Sequence, residues 1–145
     1  FFFQADDGIR ASVASRGLGD VYKRQDSYNA NPSSMKLSLE SLISMEGTPW
    51  FVMGDMGELG EKSDDFHSQL AKFAKKIGVM KLFYVGKHSK LISKNFGDNS
   101  FCFNNKSDLI NHIKNIISKD VNILIKASRF MEFESIVSAL TLRKD

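Results

Sequence analysis

Short apolar runs alternate with helical stretches along residues 26–145, and this alternation restricts the fold more than any other feature of the sequence. Repeats of strand and helix with short connections place successive strands side by side and in the same direction. We therefore predict an α/β fold, a Rossmann-like and mainly parallel sheet with helices on both faces. The predicted strands are Thr48–Met53, Lys81–Val85, Phe101–Phe103 and Val121–Ile125.

Capping residues and apolar spacing predict where the helices begin. Asn31 is a favoured N-cap and Pro32 a favoured first residue, so a helix is predicted to start there. Ser63 and Ser107 are predicted to cap two later helices, and the last helix is predicted to begin near Ser128. The residues predicted to face the core are Met35, Leu39, Leu42 and Ile43, then Phe66, Leu70, Phe73, Ala74 and Ile77, then Leu91 and Ile92 in a short helix, then Ile110, Ile113, Ile116 and Ile117, and finally Phe133, Ile136, Val137 and Leu140.

Residues 1–25 differ in character from the rest of the chain. They show neither helical nor strand periodicity, and their arginines do not recur until Arg129. They also resemble the translated adapter strings that contaminate assembled sequences. We interpret this segment as non-native or irregular and residues 26–145 as one domain. The alternative is a genuine but irregular N-terminal strand and loop, in which Val21–Tyr22 could also be recruited as a short strand.

The composition is that of one globular domain. Hydrophobic residues make up 42% and charged residues 26% of 145 positions, and no apolar run approaches the roughly 20 residues that span a bilayer. The net charge is +3 and the lysines are dispersed, which argues against nucleic acid as a partner. The single cysteine, Cys102, lies between two phenylalanines and is predicted to be a core residue, as expected in a reducing cytoplasm.

In a parallel sheet, ligands bind beyond the carboxyl ends of the strands, so the loops there are the candidate binding sites. The loop Asp26–Pro32 combines an acid, a phenol and two amides. Asp26 could accept hydrogen bonds from ribose hydroxyls, and Asn29 and Asn31 offer both donors and acceptors to a ligand. Turn formation and helix capping are the alternative, above all for Asn31.

Three further loops follow predicted strands, at Gly54–Gly60, Gly86–Ser89 and Lys126–Arg129. Gly54–Gly60 has three glycines but fits neither the dinucleotide nor the phosphate-loop pattern, so it is either a backbone surface for a ligand or a strand-to-helix turn. Lys126, Ser128 and Arg129 place two cations and a hydroxyl before the last predicted helix, which indicates a site for a carboxylate or phosphate. The alternative is that the cations pair with nearby glutamates.

The three histidines differ in their predicted positions. His67 lies at the edge of a predicted buried helix face, where packing or capping competes with a functional role. His88 and His112 are predicted to face solvent.

Three motifs occur in a recognisable order: DSYNANPSSM at Asp26–Met35, GDMGELG at Gly54–Gly60 with His67 downstream, and KASRFMEFE from Lys126. Together they resemble the C-terminal domain of the MurF-type Mur ligases, the UDP-N-acetylmuramoyl-tripeptide–D-alanyl-D-alanine ligases. The similarity extends over Asp26–Leu140. One departure is Ala127, where these ligases usually have glycine.

The resemblance implies a ligase that uses ATP and Mg²⁺ to activate a carboxylate as an acyl phosphate, which a dipeptide amine then attacks. The phosphate loop and metal ligands of such ligases lie in a central domain, so this fragment is expected to contain no catalytic residue. The implied partners are UDP-N-acetylmuramoyl-tripeptide, D-alanyl-D-alanine and the central ATPase domain of the same chain. The resemblance assigns Asp26, Asn29 and Asn31 to the ATP side and Lys126, Ser128 and Arg129 to the dipeptide carboxylate or the phosphates, with Tyr28 and His67 as further candidates.

Two other functions fit the same pattern. The chain could be a stand-alone α/β module that binds a nucleotide or another small ligand without catalysis. It could also belong to another amide ligase of the Mur superfamily, although the YNANP sequence favours the D-alanyl-D-alanine ligases.

Overall fold

The computed structural model describes residues 2–5, 9–11, 32–57, 59–127 and 131–141. The predicted alternation of strands and helices is confirmed in this part of the chain. The elements, in order, are β1 (Phe2–Ala5), β2 (Ile9–Ala11), α1 (Pro32–Ser44), β3 (Thr48–Gly54), a 3₁₀ turn (Gly60–Lys62), α2 (Ser63–Ile77), β4 (Lys81–Val85), α3 (Ser89–Phe96), β5 (Ser100–Phe103), α4 (Lys106–Ile116), β6 (Val121–Lys126) and α5 (Glu134–Thr141).

The strands form one sheet in the order β2-β1-β6-β3-β4-β5. The last four strands of this order are parallel, as predicted. In their register Met53 lies opposite Lys126 and Gly54 lies opposite Val85, so β6, β3 and β4 end at the same edge. Loops that leave these three strands therefore emerge next to one another.

The short strands β1 and β2 were not among the strands predicted from apolar runs, and only the alternative interpretation of residues 1–25 included a strand there. They come from residues 1–25 and add an antiparallel pair to the free edge of β6. Phe3 lies opposite Ile123 in this pairing. The pair Val21–Tyr22, suggested above as a strand, lies outside the described residues.

The sheet has a hydrophobic core on each face. Successive residues of a strand point to opposite faces, so Phe51 and Met53 of β3 pack under α1, α2 and α3, while Trp50 and Val52 pack under α4 and α5. Burial on both sides explains why these strands read as continuous apolar runs. The helix residues buried in the cores are Met35, Leu39 and Leu42, Phe66, Leu70, Ala71 and Ala74, Ile92 and Phe96, Leu109 and Ile113, and Ile136 and Leu140.

Two of the predicted helix starts are wrong by a few residues, for a local reason in each case. The N-cap of α4 is Asn105 rather than Ser107, because the extended backbone of Asn105 lets its side chain accept a hydrogen bond from the Asp108 N–H at 2.8 Å. Ser63 does not cap α2. It is the first residue of that helix, which continues directly from the 3₁₀ turn.

The last helix also begins later than predicted. It starts at Glu134 instead of near Ser128. Glu132 adopts a φ of +54°, a left-handed backbone conformation that cannot continue a right-handed helix. None of the helices in the described ranges combines the length and apolar character needed to cross a membrane.

Candidate functional site

A group of interacting polar side chains lies where β3 and β4 end. We call it the Asp55 cluster and define it as Asp55, Ser63, His67, Tyr84 and His88. Asp55 directly follows β3, Tyr84 is in β4, and His88 follows a tight turn after β4. The first turns of α2 bring Ser63 and His67 over the same edge of the sheet. The cluster therefore occupies the position at which α/β sheets bind ligands.

The Asp55 carboxylate accepts hydrogen bonds from three directions. The Tyr84 hydroxyl and the backbone N–H of Lys87 donate to it, the latter at 3.0 Å, and Nδ1 of His88 lies 3.0 Å from Oδ1. Burial alone would raise the pKa of Asp55, but the hydrogen bonds from Tyr84, His88 and Lys87 outweigh burial and hold that pKa below its ordinary value. Asp55 is therefore an ionised carboxylate at neutral pH, although its residue is only 6% exposed.

Tyr84 connects Asp55 to the loop after β4. Its hydroxyl donates to Asp55 and accepts the backbone N–H of His88 at 2.8 Å. Burial, together with the hydrogen bond to a carboxylate, raises the pKa of Tyr84 far above its ordinary value. Tyr84 therefore acts as a neutral hydrogen-bond donor and does not serve as a base.

The hydrogen bonds of His67 define its protonation state. Its Nε2 accepts the backbone N–H of Met56 at 3.1 Å, so this nitrogen carries no proton. Its Nδ1 lies 2.7 Å from the carbonyl oxygen of Ser63 and must donate to it. Burial lowers the pKa of His67, and the proximity of His88 lowers it further. His67 is therefore a neutral imidazole with its proton on Nδ1.

The prediction that His88 faces solvent is wrong. Its side chain is 13% exposed, and its ring stacks on that of His67 with centroids 3.9 Å apart and 9° between the planes. Its Nε2 lies 3.3 Å from the Ser63 hydroxyl and 3.2 Å from Oδ1 of Asp64. The position of the loop Gly86–Ser89 after a strand was a signal in the sequence, but the burial of His88 depends on contacts between distant segments.

His112 is also less exposed than predicted. It is half-buried and packs among the rings of Phe83, Phe101 and Phe103 on the opposite face of the sheet. It has no role in the Asp55 cluster.

Gly86 makes the close approach of the two loops feasible. Its φ is +154°, and a Cβ at this position would lie 2.6 Å from Cγ of Asp55. Only glycine can occupy this position without displacing the carboxylate. The turn after β4 therefore folds directly over Asp55.

The cluster contains the atoms of a potential metal site but not the arrangement of one. Oxygen and nitrogen ligand atoms of Asp55, His67 and His88 lie within 4.8 Å of one another. However, the two imidazole planes are nearly parallel, so an ion in the plane of one ring lies well out of the plane of the other. The lone pair of His67 Nε2 is also taken by Met56. Mg²⁺ prefers oxygen ligands in an octahedron, and this set of donors does not fit it.

The predicted anion-binding loop is only partly described. Lys126 ends β6, is 3% exposed, and directs Nζ at the Ser38 hydroxyl of α1, 3.3 Å away. It therefore ties the sheet to α1 rather than projecting from the surface. The last helix of the described residues begins at Glu134, and because Ser128 and Arg129 lie outside those residues, their placement at a helix N-terminus stays a prediction. The next residue, Ala127, lies against Gly54, where an added Cβ would be 3.0 Å from the Cβ of Ala127.

Most of the other predicted ligand contacts lie outside the described residues. These are Asp26, Tyr28, Asn29, Asn31, Ser128 and Arg129. The predicted start of α1 at Pro32 is confirmed, so the loop that contains the first four of them leads into the helix that holds Ser38. His67, the remaining candidate, lies in the Asp55 cluster.

Comparison with known proteins decides the family. The family model described as Mur ligase, glutamate ligase domain matches residues 13–129. The chain belongs to the Mur ligase family. The match to this Mur ligase domain includes residues 13–25, which we predicted to lie outside it, and that boundary stays a prediction.

Relatives and solved structures agree with the assignment. The Mur ligase domain is 39% identical over 117 residues to the UDP-N-acetylmuramoyl-tripeptide–D-alanyl-D-alanine ligase of Escherichia coli K12, with 79% of this chain and 26% of the relative covered. The Bacillus subtilis enzyme of the same name is 36% identical over 122 residues, with 79% and 27% covered. The chain thus spans about a quarter of the length of these relatives, 26% in the first case.

Two solved structures support the fold. MurF from Acinetobacter baumannii superposes on the Mur ligase domain with a TM-score of 0.71 at 28% identity, with 81% of this chain and 27% of the other covered. The Thermotoga maritima MurF ligase in complex with ADP has a TM-score of 0.68 at 23% identity over the same shares of the two chains. The second likeness concerns the fold alone. The predicted α/β fold and the resemblance to MurF-type ligases are confirmed.

Proposed function

We propose that this Mur ligase domain is the C-terminal domain of the ligase that joins D-alanyl-D-alanine to UDP-N-acetylmuramoyl-tripeptide during the synthesis of peptidoglycan precursors. The observation that carries the proposal is the identity of 39% and 36% to two enzymes of that name. The same observation favours this reaction over those of other Mur ligases. The domain contributes binding groups, and the chemistry belongs to the central domain of the same enzyme.

On the nucleotide side, Asp26 contacts the ribose of ATP, while Asn29 and Asn31 line the cleft between the two domains. Support comes from the position of α1, which begins at Pro32 and is joined to the end of β6 by Ser38 and Lys126. This contact brings the helix that follows the first loop next to the strand that precedes the last one. This contact between the adjoining elements supports a shared cleft for the two loops.

On the dipeptide side, Ser128 and Arg129 hold the carboxylate of D-alanyl-D-alanine. An arginine can bind a carboxylate through two parallel hydrogen bonds, which fixes its orientation as well as its position. Lys126 lies behind them, in contact with Ser38, and stabilises the end of β6. Its burial argues that it supports this loop more than it touches the substrate.

ATP supplies the phosphoryl group that activates the carboxylate of the tripeptide. Mg²⁺ is held mainly by residues of the central domain, and the donors of the Asp55 cluster, two of which are imidazoles, do not fit this ion. The domain works in the cytoplasm, where the nucleotide-linked precursor and ATP are both present.

A domain exchange tests this function. Residues 26–145 replace the matching C-terminal region of the Escherichia coli relative, and ADP release is measured with each substrate omitted in turn. The proposal predicts ADP release that requires both D-alanyl-D-alanine and the tripeptide nucleotide. A folded chimera that releases ADP without the dipeptide, or accepts free D-glutamate equally well, contradicts it.

A further inference from the structure

Side chains of the Asp55 cluster hold backbone groups of the loops after β3 and β4. Three backbone N–H groups, those of Met56, Lys87 and His88, donate to His67, Asp55 and Tyr84, respectively. The Met56 N–H is buried and those of Lys87 and His88 are partly buried, so they need acceptors, and here each acceptor is a side chain within one connected cluster. The shape of both loops therefore depends on the Asp55 cluster.

The loop after β3 also borders the loop that we assign to the dipeptide. Met53 lies opposite Lys126 in the sheet, and Gly54 packs against Ala127 at the point where the chain leaves β6. Asp55 and Met56 follow immediately and are both buried. A displacement of Met56 would therefore be transmitted to Ala127 and the residues that follow it.

We propose that Asp55 and His67 are positioning residues for the ligase reaction, which fix the Gly54–Gly60 loop against the end of β6 and so set the binding of the dipeptide. This inference rests on the proposed function. His67 holds Met56 through an acceptor nitrogen, and Asp55 holds Tyr84 and the turn at Lys87. Neither residue touches the substrate.

Two substitutions at His67 separate positioning from simple packing. His67→Leu introduces an apolar side chain of similar size, which has no acceptor for the Met56 N–H. His67→Gln keeps a side-chain oxygen that can accept it. In the full-length ligase, we expect His67→Leu to raise the KM for D-alanyl-D-alanine by about 10-fold with little change in kcat or in the KM for ATP. His67→Gln should restore the KM to within about 3-fold of the unsubstituted enzyme.

A control variant and a second cluster variant complete the experiment. His112→Gln alters a half-buried histidine on the other face of the sheet and should leave every kinetic constant unchanged. Tyr84→Phe removes the hydroxyl between Asp55 and the His88 N–H and should raise the KM for the dipeptide in the same direction. If His67→Leu does not fold, Tyr84→Phe decides the outcome.

The possible results are distinct. A raised dipeptide KM in His67→Leu that His67→Gln rescues supports the inference. An unchanged KM in folded His67→Leu, a failure of His67→Gln to rescue, or an unchanged KM in Tyr84→Phe as the deciding variant overturns it. If the unsubstituted enzyme forms no amide with D-alanyl-D-alanine, the proposed function fails instead.

Discussion

The imidazole of His67 lies flat against that of His88, with ring centroids 3.9 Å apart, and of these two rings His88 alone contacts the Asp55 carboxylate at hydrogen-bond distance. Two stacked imidazoles cannot both carry a positive charge without strong repulsion. The hydrogen bonds decide which ring stays neutral, because His67 accepts the Met56 N–H.

The neutrality of His67 predicts a loss of stability in mild acid. Its pKa in the folded chain lies below the ordinary value of 6.5, so the unfolded chain binds more protons as the pH falls through this value. The free energy of unfolding should therefore decrease from about pH 6.5 downwards until the folded pKa is reached. Urea titrations of the chain at pH 5 and pH 7.5 measure this difference.

The same titrations on variants assign the effect. His67→Gln should reduce the dependence on pH, whereas His112→Gln should preserve it. Equal dependence in His67→Gln and in the unsubstituted chain would show that another group is responsible.

The lowered pKa of Asp55 predicts a second loss of stability at more acidic pH. Its folded pKa lies below 3.8, so its stabilising contribution is complete above that value and is lost as the pH falls through the folded pKa. At neutral pH, Asp55→Asn should lower the free energy of unfolding by about 1–3 kcal/mol, because the amide NH2 replaces one of the two carboxylate oxygens that accept from Tyr84 and Lys87. Asp65→Asn, on the exposed surface of α2, is the matched control and should change it little. Equal effects of the two substitutions would contradict the role of the cluster.

A side chain at position 86 is expected to destabilise the fold by a clash with Asp55, and this effect can be separated from backbone strain. Gly86→Ala combines a positive φ with a clash against Asp55, whereas Gly97→Ala has a φ of +104° but no atom within 4 Å of the added Cβ. Strain of this kind costs about 1–3 kcal/mol, and Gly86→Ala should exceed Gly97→Ala because the carboxylate must also move. Thermal unfolding of both variants provides the comparison. A smaller effect at Gly86 would show that the turn is free to relax.

The proposed role of Arg129 in the dipeptide site predicts a specific kinetic defect when this arginine is replaced. In the full-length ligase, Arg129→Ala should raise the KM for D-alanyl-D-alanine by about 10- to 100-fold, because a charge-assisted, bidentate contact is lost. The KM for ATP should stay the same. Lys114→Ala, an exposed cation on α4, removes the same charge elsewhere and should have no effect. An unchanged dipeptide KM in Arg129→Ala would exclude the carboxylate role.

Local signals were enough to predict most of the sheet and its helices. Strands such as Lys81–Val85 are apolar, short and bounded by glycine, and the helix from Pro32 begins with a favourable cap sequence. Helices whose first residue depends on a single backbone angle were harder to predict. Glutamate rarely adopts a positive φ, so the sequence did not indicate this angle at Glu132, after which α5 begins.

The site was less predictable than the fold because it is built from distant residues. Asp55 and His88 are 33 positions apart, and they meet only because β3 and β4 pair in parallel and Gly86 turns the chain back over the carboxylate. His67 was a candidate because of its place on a helix face. Its hydrogen-bond partner is the backbone N–H of Met56. The sequence does not reveal this partner, because every residue except proline has a backbone N–H.

The central claim is that this domain serves a ligase that adds D-alanyl-D-alanine to a peptidoglycan precursor. The most direct test offers D-alanyl-D-alanine, D-glutamate and L-alanine together to the full-length enzyme with ATP and UDP-N-acetylmuramoyl-tripeptide, and identifies the product by mass spectrometry. The claim predicts a single product, the nucleotide-linked pentapeptide. A product that contains D-glutamate or L-alanine in place of the dipeptide would contradict it.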